Sequence, residues 1–502
     1  MKGKNAVKKN LCIVSFVLLF LCMPPVLLAA FSLEDLLTGY AERDIGLKEL
    51  HIQFMQSLLE EKKVFTDNGI NVTLSTGTMH FVPSGNGFTY SVAPEITFAF
   101  PYLNNTRIQA ALPLRSSSVS AGTGKSALKL TSDASLSVKT DIISYKNKER
   151  KLFLEKAARQ TELARRACAE RALETEKNFW TELRSLYTAA AAAAKAQDSL
   201  IASENNFKTV KNQGYAAVSP KYRKAELAVK SDEYAFEEKK RLCAAALTEF
   251  ALNCGKDADF FTEIPLLPDD LKSRPLLSFS DFDTALYGAA EQAFWKYTYN
   301  EKMRSSQKNF FLGAGFSYTY LSEGTPGKKD VPGTGTSGHI QPSNEIGAEV
   351  SASWKGVSAA AGVSITTENP ASPRISFALG WDMNVFKNAD YTAQIKQYDA
   401  ESDLLAVQSA HEDKKKREKA LETKAADLLW QRSKTAEEAA LYEQLYRDMQ
   451  IWFKEGIVSP ADLLEAKINF EQMSYYANAA ALDCIIYNID VRRLFVQKAE
   501  HD

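Results

Sequence analysis

The chain has 502 residues, of which 45% are hydrophobic and 25% are charged, and its formal net charge at pH 7 is −1. Both fractions are ordinary for folded proteins, so the composition excludes a largely disordered chain. The balanced charge gives no general attraction to nucleic acid, and we expect no nucleic-acid partner. The length is sufficient for several domains or for one large subunit of an assembly.

Residues 1–30 have the three parts of a secretory signal peptide. Four lysines precede an apolar run from Leu11 to Leu21, and small residues lie before a cleavage point that we place after Ala30. A permanent membrane anchor is the alternative, which the Pro24-Pro25 pair disfavours. Removal of the four lysines leaves 57 basic and 62 acidic residues, a net charge of −5. We therefore expect an exported chain.

Two stretches without proline or glycine, 144–213 and 387–455, are rich in helix-favouring residues. In the first, apolar residues recur every seven positions along two adjacent lines. This pattern is typical of a helix that packs against partners on more than one side. A long solvated coiled coil with no further role is the alternative. The two lines are Leu173, Trp180, Tyr187, Ala194, Ile201 and Phe179, Leu186, Ala193, Leu200, Phe207.

Two blocks, 70–143 and 310–386, have an apolar period of two, which predicts strands. Alternate residues are apolar or aromatic, and the residues between them are mostly Gly, Ser, Thr or charged. Such strands suit a membrane barrel with an apolar outside and a polar inside, and a soluble β-sandwich is the alternative. We count four candidate strands in each block. They are 70–82, 88–100, 105–114 and 128–142, then 312–320, 348–354, 357–365 and 375–385.

The two halves of the chain have the same order of elements, which indicates one fold unit used twice. A Ser-Pro pair follows each long helix, and the two pairs lie 240 residues apart. The predicted first repeat is 31–254, with strands 70–143, long helix 144–213 and return helix 219–253. A linker, 255–280, follows. The second repeat is 281–498, with helix 281–308, strands 310–386, long helix 387–455 and return helix 459–497.

Several segments resemble the TolC-type outer-membrane efflux proteins, the outer membrane factors. The segment from Phe453 to Ala466 matches the family's helix-hairpin tip, in which Gly, Ser or Thr, Asp-Leu-Leu and Ala recur. Gly214 to Pro220 is its counterpart in the first half. Val385-Phe386 resembles the family's strand-to-helix junction, and Ser32 to Asp35 its usual start. The resemblance covers nearly the whole mature chain.

The resemblance implies an α+β membrane protein, trimeric, with two structural repeats per chain. A transmembrane β-barrel in the outer membrane would continue into a long α-helical barrel in the periplasm. The homotrimer would meet a periplasmic adaptor and an inner-membrane transporter of an efflux or type I secretion system. It would conduct cargo passively, without enzyme activity or cofactor. A periplasmic adaptor and a non-channel coiled-coil envelope protein are the alternatives.

The resemblance also implies roles for residues at the tips. In the family, acids of the Asp-Leu-Leu stretch line the periplasmic entrance, which here corresponds to Asp462 and Glu465. Solvated acids that compensate the helix dipole are the alternative. Adaptor contacts would come from Gly214, Ser219, Pro220, Gly456, Ser459 and Pro460. One departure is the count of four strands per half where the family usually has two. Either the barrel is wider, or one hairpin per half lies outside the membrane.

Overall fold

The computed structural model describes residues 32–77, 79–84, 87–120, 126–144, 146–306, 310–321, 343–354, 356–367 and 370–496. The predicted signal peptide, residues 1–30, lies outside this part. The described chain forms two compact units, and each unit takes segments from both halves of the sequence. Of the described residues, one unit comprises those up to Asp44, Glu174–Pro275 and Leu428–Ile486, and the other comprises those within 45–173, 276–427 and 487–496.

The helices follow the predicted order. The long helices have 67 and 66 residues and the return helices 34 each, so the two halves match closely in element length. Their bounds are α1 Leu33–Arg43, α2 Ile45–Asp67, α3 Lys146–Asn212, α4 Pro220–Asn253, α5 Asp269–Lys272, α6 Gly288–Ser306, α7 Met383–Lys387, α8 Ala389–Lys454 and α9 Pro460–Arg493.

The described strands form two antiparallel sheets in the second unit. An eight-stranded sheet has the order β1-β4-β5-β8-β9-β10-β11-β12, and a four-stranded sheet the order β2-β3-β6-β7. The bounds are β1 Asn71–Ser75, β2 His80–Ser84, β3 Gly87–Val92, β4 Glu95–Phe100, β5 Thr106–Ala111, β6 Leu114–Ser120, β7 Ser126–Ser132, β8 Ala134–Ile143, β9 Phe310–Leu321, β10 Ser343–Trp354, β11 Val357–Thr366 and β12 Arg374–Trp381.

The prediction of continuous strands in the first half is wrong in its detail. Each of the four predicted strands is divided into two shorter strands. One of the two lies in the eight-stranded sheet and the other in the four-stranded sheet. Pro94 and Pro113 stand at two of these junctions, and proline has no N–H for the strand ladder. Their carbonyl groups still accept hydrogen bonds, from the N–H of Leu112 at 2.9 Å and of Asp133 at 3.0 Å. Paired strands therefore change sheet together.

Two other boundaries also differ from the prediction. The helix predicted at 281–308 begins only at Gly288. Two short 3₁₀ turns, Phe279–Asp281 and Thr284–Leu286, precede it, and Tyr287 then forms a β-bridge with Phe495. The strand predicted at 375–385 ends at Trp381. The carboxylate of Asp382 accepts hydrogen bonds from the N–H groups of Asn384 and Val385, at 3.0 and 3.2 Å, which starts a short helix.

The core of the first unit is built on α3. All ten residues of the two predicted seven-residue lines are buried or half-buried. Phe179 contacts Phe250 of α4 at 5.5 Å between ring centroids, and Tyr187 stacks on Tyr475 of α9 at 6.2 Å. Gly39 of α1 lies so close to the end of α4 that a Cβ atom there would come within 2.5 Å of the Cys254 carbonyl oxygen.

An ion-pair network ties α3 to α6 in the second unit. Glu291 accepts two hydrogen bonds from Arg159, at 2.8 and 2.6 Å, and one from Arg166 at 2.8 Å. Glu162 accepts from Arg166 at 2.9 Å and from Arg165 at 2.8 Å. Burial raises the pKa of the Glu291 carboxyl, but the hydrogen bonds from the two arginines outweigh this and lower it. Glu291 is therefore charged in the folded protein near neutral pH.

Candidate functional site

The eight-stranded sheet has one continuous apolar face. Side chains that face each other across neighbouring strands lie on the same face, so the pairing fixes the rows. One row crosses the whole sheet, and a second row crosses seven strands. These rows are Val72, Phe98, Ile108, Val138, Phe316, Ala348, Val363, Ile375, and Leu74, Ile96, Ala110, Leu136, Tyr318, Ile346, Ile365.

Many large side chains of this face are exposed in the single chain. Phe377 and Leu379 of β12 are 79% and 85% exposed, and Val72 of β1 is 56% exposed. A soluble monomer rarely exposes a contiguous apolar patch of this extent. The face therefore needs a cover, which a lipid bilayer would supply.

Aromatic residues lie at both ends of the apolar face. At one end Phe310, Trp354, Val357 and Trp381 form one row across β9 to β12. At the other end lie Tyr318 and Tyr320 of β9. Phe310 and Tyr320 are separated by about 33 Å along the strand, or about 25 Å along the normal of a bilayer at a strand tilt of about 40°. That is the height of the apolar band of outer-membrane barrels, which aromatic girdles flank.

The opposite face of the sheet carries glycine, serine, threonine and charged residues. Gly347, Gly362 and Gly380 each lie opposite a serine, and a Cβ atom at any of them would come within 2.8 Å of that serine hydroxyl. A concavity of about 700 Å³ lies on this face. Lys139, Glu349 and Arg374 are among the charged residues that line it. This face is suited to contact with water.

The two hairpin tips, in the first unit, turn at glycine. Gly214 and Gly456 both have φ of +76°, in the left-handed region that other residues rarely adopt. No atom lies within 4 Å of a Cβ built at either position, so the backbone conformation alone requires glycine there. At the second tip the N–H of Ile457 bonds to the carbonyl of Trp452 at 2.9 Å, as in a Schellman helix end.

The return helices begin at equivalent caps with different partners. Pro220 and Pro460 each occupy the first helical turn, after Ser219 and Ser459. The Ser219 hydroxyl accepts from the N–H of Tyr222 at 3.3 Å. At the second tip, by contrast, an acid completes a reciprocal capping box.

Asp462 is that acid. Its carboxylate accepts from the N–H and hydroxyl of Ser459, at 3.1 and 2.7 Å, and its own N–H donates to the Ser459 hydroxyl at 3.2 Å. The Ser459 hydroxyl and then its N–H lower the pKa of Asp462. Glu465 is exposed, and no ion pair or side-chain hydrogen bond of the described residues involves it. The two predicted entrance acids therefore differ in how freely their carboxylates can turn.

The structure places the predicted tip residues together at two loop ends, with Gly214, Ser219 and Pro220 at one and Gly456, Ser459 and Pro460 at the other. It also shows a contact that the sequence reading missed. Lys221 lies 4.3 Å from the centre of the Tyr215 ring and donates to the Gln213 side chain at 3.2 Å. In the sequence, this contact is indicated only by the spacing of Lys221, which lies six residues after Tyr215 and just past the Ser219 cap.

In the described part of the chain, no group of three His, Cys, Asp or Glu residues is arranged to hold a metal ion. The four described cysteines, Cys168, Cys243, Cys254 and Cys484, are free thiols. Among the residues that the structure describes, no helix is both long enough and apolar enough to cross a bilayer.

Comparison with protein families matches the chain in two adjoining parts. Residues 36–270 match the TP096X N-terminal domain, and residues 272–498 match the TP096X C-terminal domain. The chain carries both TP096X domains. The border between the two domains is residue 271, within the short helix α5. Together the two domains contain every strand of the apolar sheet and the helices on both sides of each tip.

The chain is also similar to solved structures of outer-membrane proteins. The outer-membrane channel OprN is 12% identical, with a TM-score of 0.45, over 93% of this chain and 90% of that one. VceC from Vibrio cholerae is 12% identical, with a TM-score of 0.46, over 92% and 95%. The Campylobacter jejuni CmeC channel is 10% identical, with a TM-score of 0.45, over 93% and 87%.

The resemblance predicted from the sequence is confirmed as a similarity to outer-membrane efflux channels. At these identities and TM-scores, the solved structures support no further conclusion about this chain. No curated protein matches the chain.

Proposed function

We propose that this chain is one subunit of an outer-membrane channel, the exit duct of an efflux or type I secretion system. The eight-stranded sheet lies in the outer membrane, with its apolar face toward lipid and its polar face toward the lumen. The long helices α3 and α8, with their return helices, line the periplasmic part of the duct. Cargo passes without chemistry at the duct, and an inner-membrane transporter supplies the energy.

One observation carries this proposal. The apolar face is exposed and continuous across the sheet. An aromatic row bounds it at one end and two tyrosines of β9 at the other, about 25 Å apart along the normal of a bilayer. A soluble sandwich would cover such a face with a second sheet or with helices. Here Phe377 and Leu379 remain largely exposed. Lipid tails can cover an apolar face. The backbone N–H and C=O groups of strands in lipid all find hydrogen-bond partners only when the sheet closes into a barrel.

The chain acts as a homotrimer that meets a periplasmic adaptor, as the resemblance of its hairpin tips to the TolC-type family implies. The adaptor contacts are Gly214, Ser219, Pro220, Gly456, Ser459 and Pro460, because these residues form the exposed hairpin tips. Ile457 and Val218 are exposed beside them, at 67% and 82%, which gives each tip an apolar anchor for a partner.

Two acids at the second tip give the periplasmic entrance of the duct a negative charge. Asp462 and Glu465 are three positions apart on α9 and so share a face. In a trimer they give two rings of three carboxylates, and such rings favour cations over anions. Because the carboxylate of Asp462 is bound in the cap, Glu465 supplies the freer charge and the larger share of the selectivity.

Purified mature chain in planar bilayers tests the proposal. We expect discrete conductance steps, cation preference and a trimeric mass after correction for detergent. Control recordings use chain denatured before addition to the bilayer. A membrane-inserted protein without conductance would favour a non-channel envelope protein. A chain that fractionates with the soluble periplasmic contents would favour an adaptor. Either result would overturn the channel.

A further inference from the structure

The eight-stranded sheet ends in two edge strands, β1 and β12. Within the described chain, β1 pairs only with β4, and β12 only with β11. Every residue of both edge strands is exposed. In a bilayer the outward N–H and C=O groups of such edges would have neither water nor a neighbouring strand to bond with, and unsatisfied polar groups in hydrocarbon are strongly unfavourable. Each edge therefore needs a strand beside it.

The directions of the two edges are complementary. All neighbours in the sheet are antiparallel, and the number of strands is eight. Because eight is even, β1 and β12 run in opposite directions. When β12 of one copy lies beside β1 of the next, the antiparallel pattern continues across the boundary. Repetition of the same contact by rotation closes a ring.

Two conditions fix the register of this contact. The apolar side chains Val72 and Leu74 must lie on the same face as Phe377 and Leu379, which allows only offsets of an even number of residues. The most exposed apolar side chains of β12, Phe377 and Leu379, must also lie directly against Val72 and Leu74 of β1. Both conditions are met when Thr73 lies opposite Ala378, so that Val72 faces Leu379 and Leu74 faces Phe377. All five residues of β1 are then paired.

We propose that β12 of one copy pairs with β1 of the next at this register, so that each chain contributes eight strands to a common barrel. The inference rests on the proposed channel and goes beyond it, because it names the seam and the strand count. Three copies of an eight-stranded sheet give 24 strands. Since barrel diameter grows roughly linearly with strand number, the lumen is about twice as wide as with four strands per chain.

Closure of β1 onto β12 of the same chain is the competing arrangement. An eight-stranded barrel has an interior that side chains fill or that holds one small ligand, so it would make no duct. The described chain also leaves β1 and β12 unpaired with each other. A second copy is therefore the occupant that fits both edges.

Cysteine pairs across the seam test the proposal. The variants are the double substitutions Thr73→Cys with Ala378→Cys, and Val72→Cys with Leu379→Cys, in the full chain in outer membranes. Close and wide pairs alternate along an antiparallel ladder, so one of the two adjacent pairs has the geometry that favours a disulfide. We expect covalent dimers and trimers on non-reducing gels, and their loss on reduction.

The matched controls separate register from mere proximity. Each single cysteine variant should stay monomeric on the gel. The pair Thr73→Cys with Ala360→Cys should also stay monomeric, because Ala360 lies on β11, one strand inside the edge opposite Ala378. A disulfide within one chain would show a self-closed barrel and overturn the proposal. Conductance without any crosslink from either seam pair would also overturn it, while the channel itself would stand.

Discussion

The Asp462 carboxylate receives two hydrogen bonds from Ser459, one from its hydroxyl at 2.7 Å and one from its backbone N–H at 3.1 Å. This contact determines how the second hairpin tip is built. An acid three residues after a serine completes a capping box at the start of α9. The same acid is one of the two that the family resemblance assigns to the channel entrance. The proposed conductive role therefore falls on a side chain that also builds the cap.

Separate neutralisation of the two acids should distinguish these roles. Glu465→Gln is expected to lower cation preference strongly and to leave thermal stability unchanged. Asp462→Asn should lower cation preference less, and it should increase hydrogen exchange at the first turn of α9, because the cap weakens. Single-channel reversal potentials in a salt gradient measure the first effect. Equal loss of cation preference in both variants would contradict the unequal roles of the two acids. No loss in either variant would contradict the proposed ring of carboxylates.

The network around Glu291 should make the second unit sensitive to acid. The hydrogen bond from Arg165 chiefly lowers the pKa of Glu162, to about 2, and the pKa of Glu291 is also lowered. A depressed pKa stabilises the fold above the unfolded value of about 4.3, and this contribution disappears as pH falls toward 2. We expect hydrogen exchange in α6 to rise over that interval.

Substitutions identify the groups responsible for this acid sensitivity. Glu291→Gln leaves Arg159, which is largely buried, without a charged partner. It should cost about 2 kcal/mol, the scale of hydrogen bonds to a charged group, and it should reduce the acid response of α6. Glu155→Gln is the matched control. Its partner Lys302 is at 2.8 Å but both side chains are more than a third exposed, so little change is expected. A pH response of α6 that is undiminished in Glu291→Gln would assign the effect to other groups.

Neighbouring residues of β12 report on the two faces of the sheet. Phe377→Lys places a charge on the face assigned to lipid, at an expected cost of about 2–4 kcal/mol if it lies near the bilayer midplane. Ser376→Lys places the same charge on the face assigned to the lumen, where it should be tolerated. The measurement is the amount of heat-modifiable protein in the outer membrane. Equal loss in both variants would contradict the assignment of the faces.

Replacement of the tip glycines should cost stability without loss of any contact. Gly214→Ala and Gly456→Ala each force an alanine to φ of +76°, at about 1–2 kcal/mol. No neighbouring atom would clash. Gly288→Ala is the control, because its φ is not in the left-handed region. Local exchange at the tips, measured by mass spectrometry, should rise in the first two variants alone. Unchanged exchange there would show that the tips adopt another turn.

The sequence predicted the long helices well because their periodicity is local and repeated. Ser32, Ser219 and Ser459 each accept from a backbone N–H, as expected of caps. The breaks within the first-half strands were missed, although Pro94 and Pro113 were visible at two of them. An alternating pattern reports which face a residue occupies, but it carries no information about which sheet a strand joins.

Other features depend on partners distant in sequence and could not be read from local pattern. The start of α6 directly follows the bridge between Tyr287 and Phe495, which are 208 residues apart. The aromatic row of Phe310, Trp354 and Trp381 becomes visible only when the register of three strands is known. The unequal setting of Asp462 and Glu465 likewise depends on the geometry of one cap.

The most direct test of the whole account is the conductance of the purified mature chain in a planar bilayer, recorded with its mass in detergent. The account predicts a trimer that opens stable, cation-preferring channels. A soluble monomer that passes no ions would contradict it.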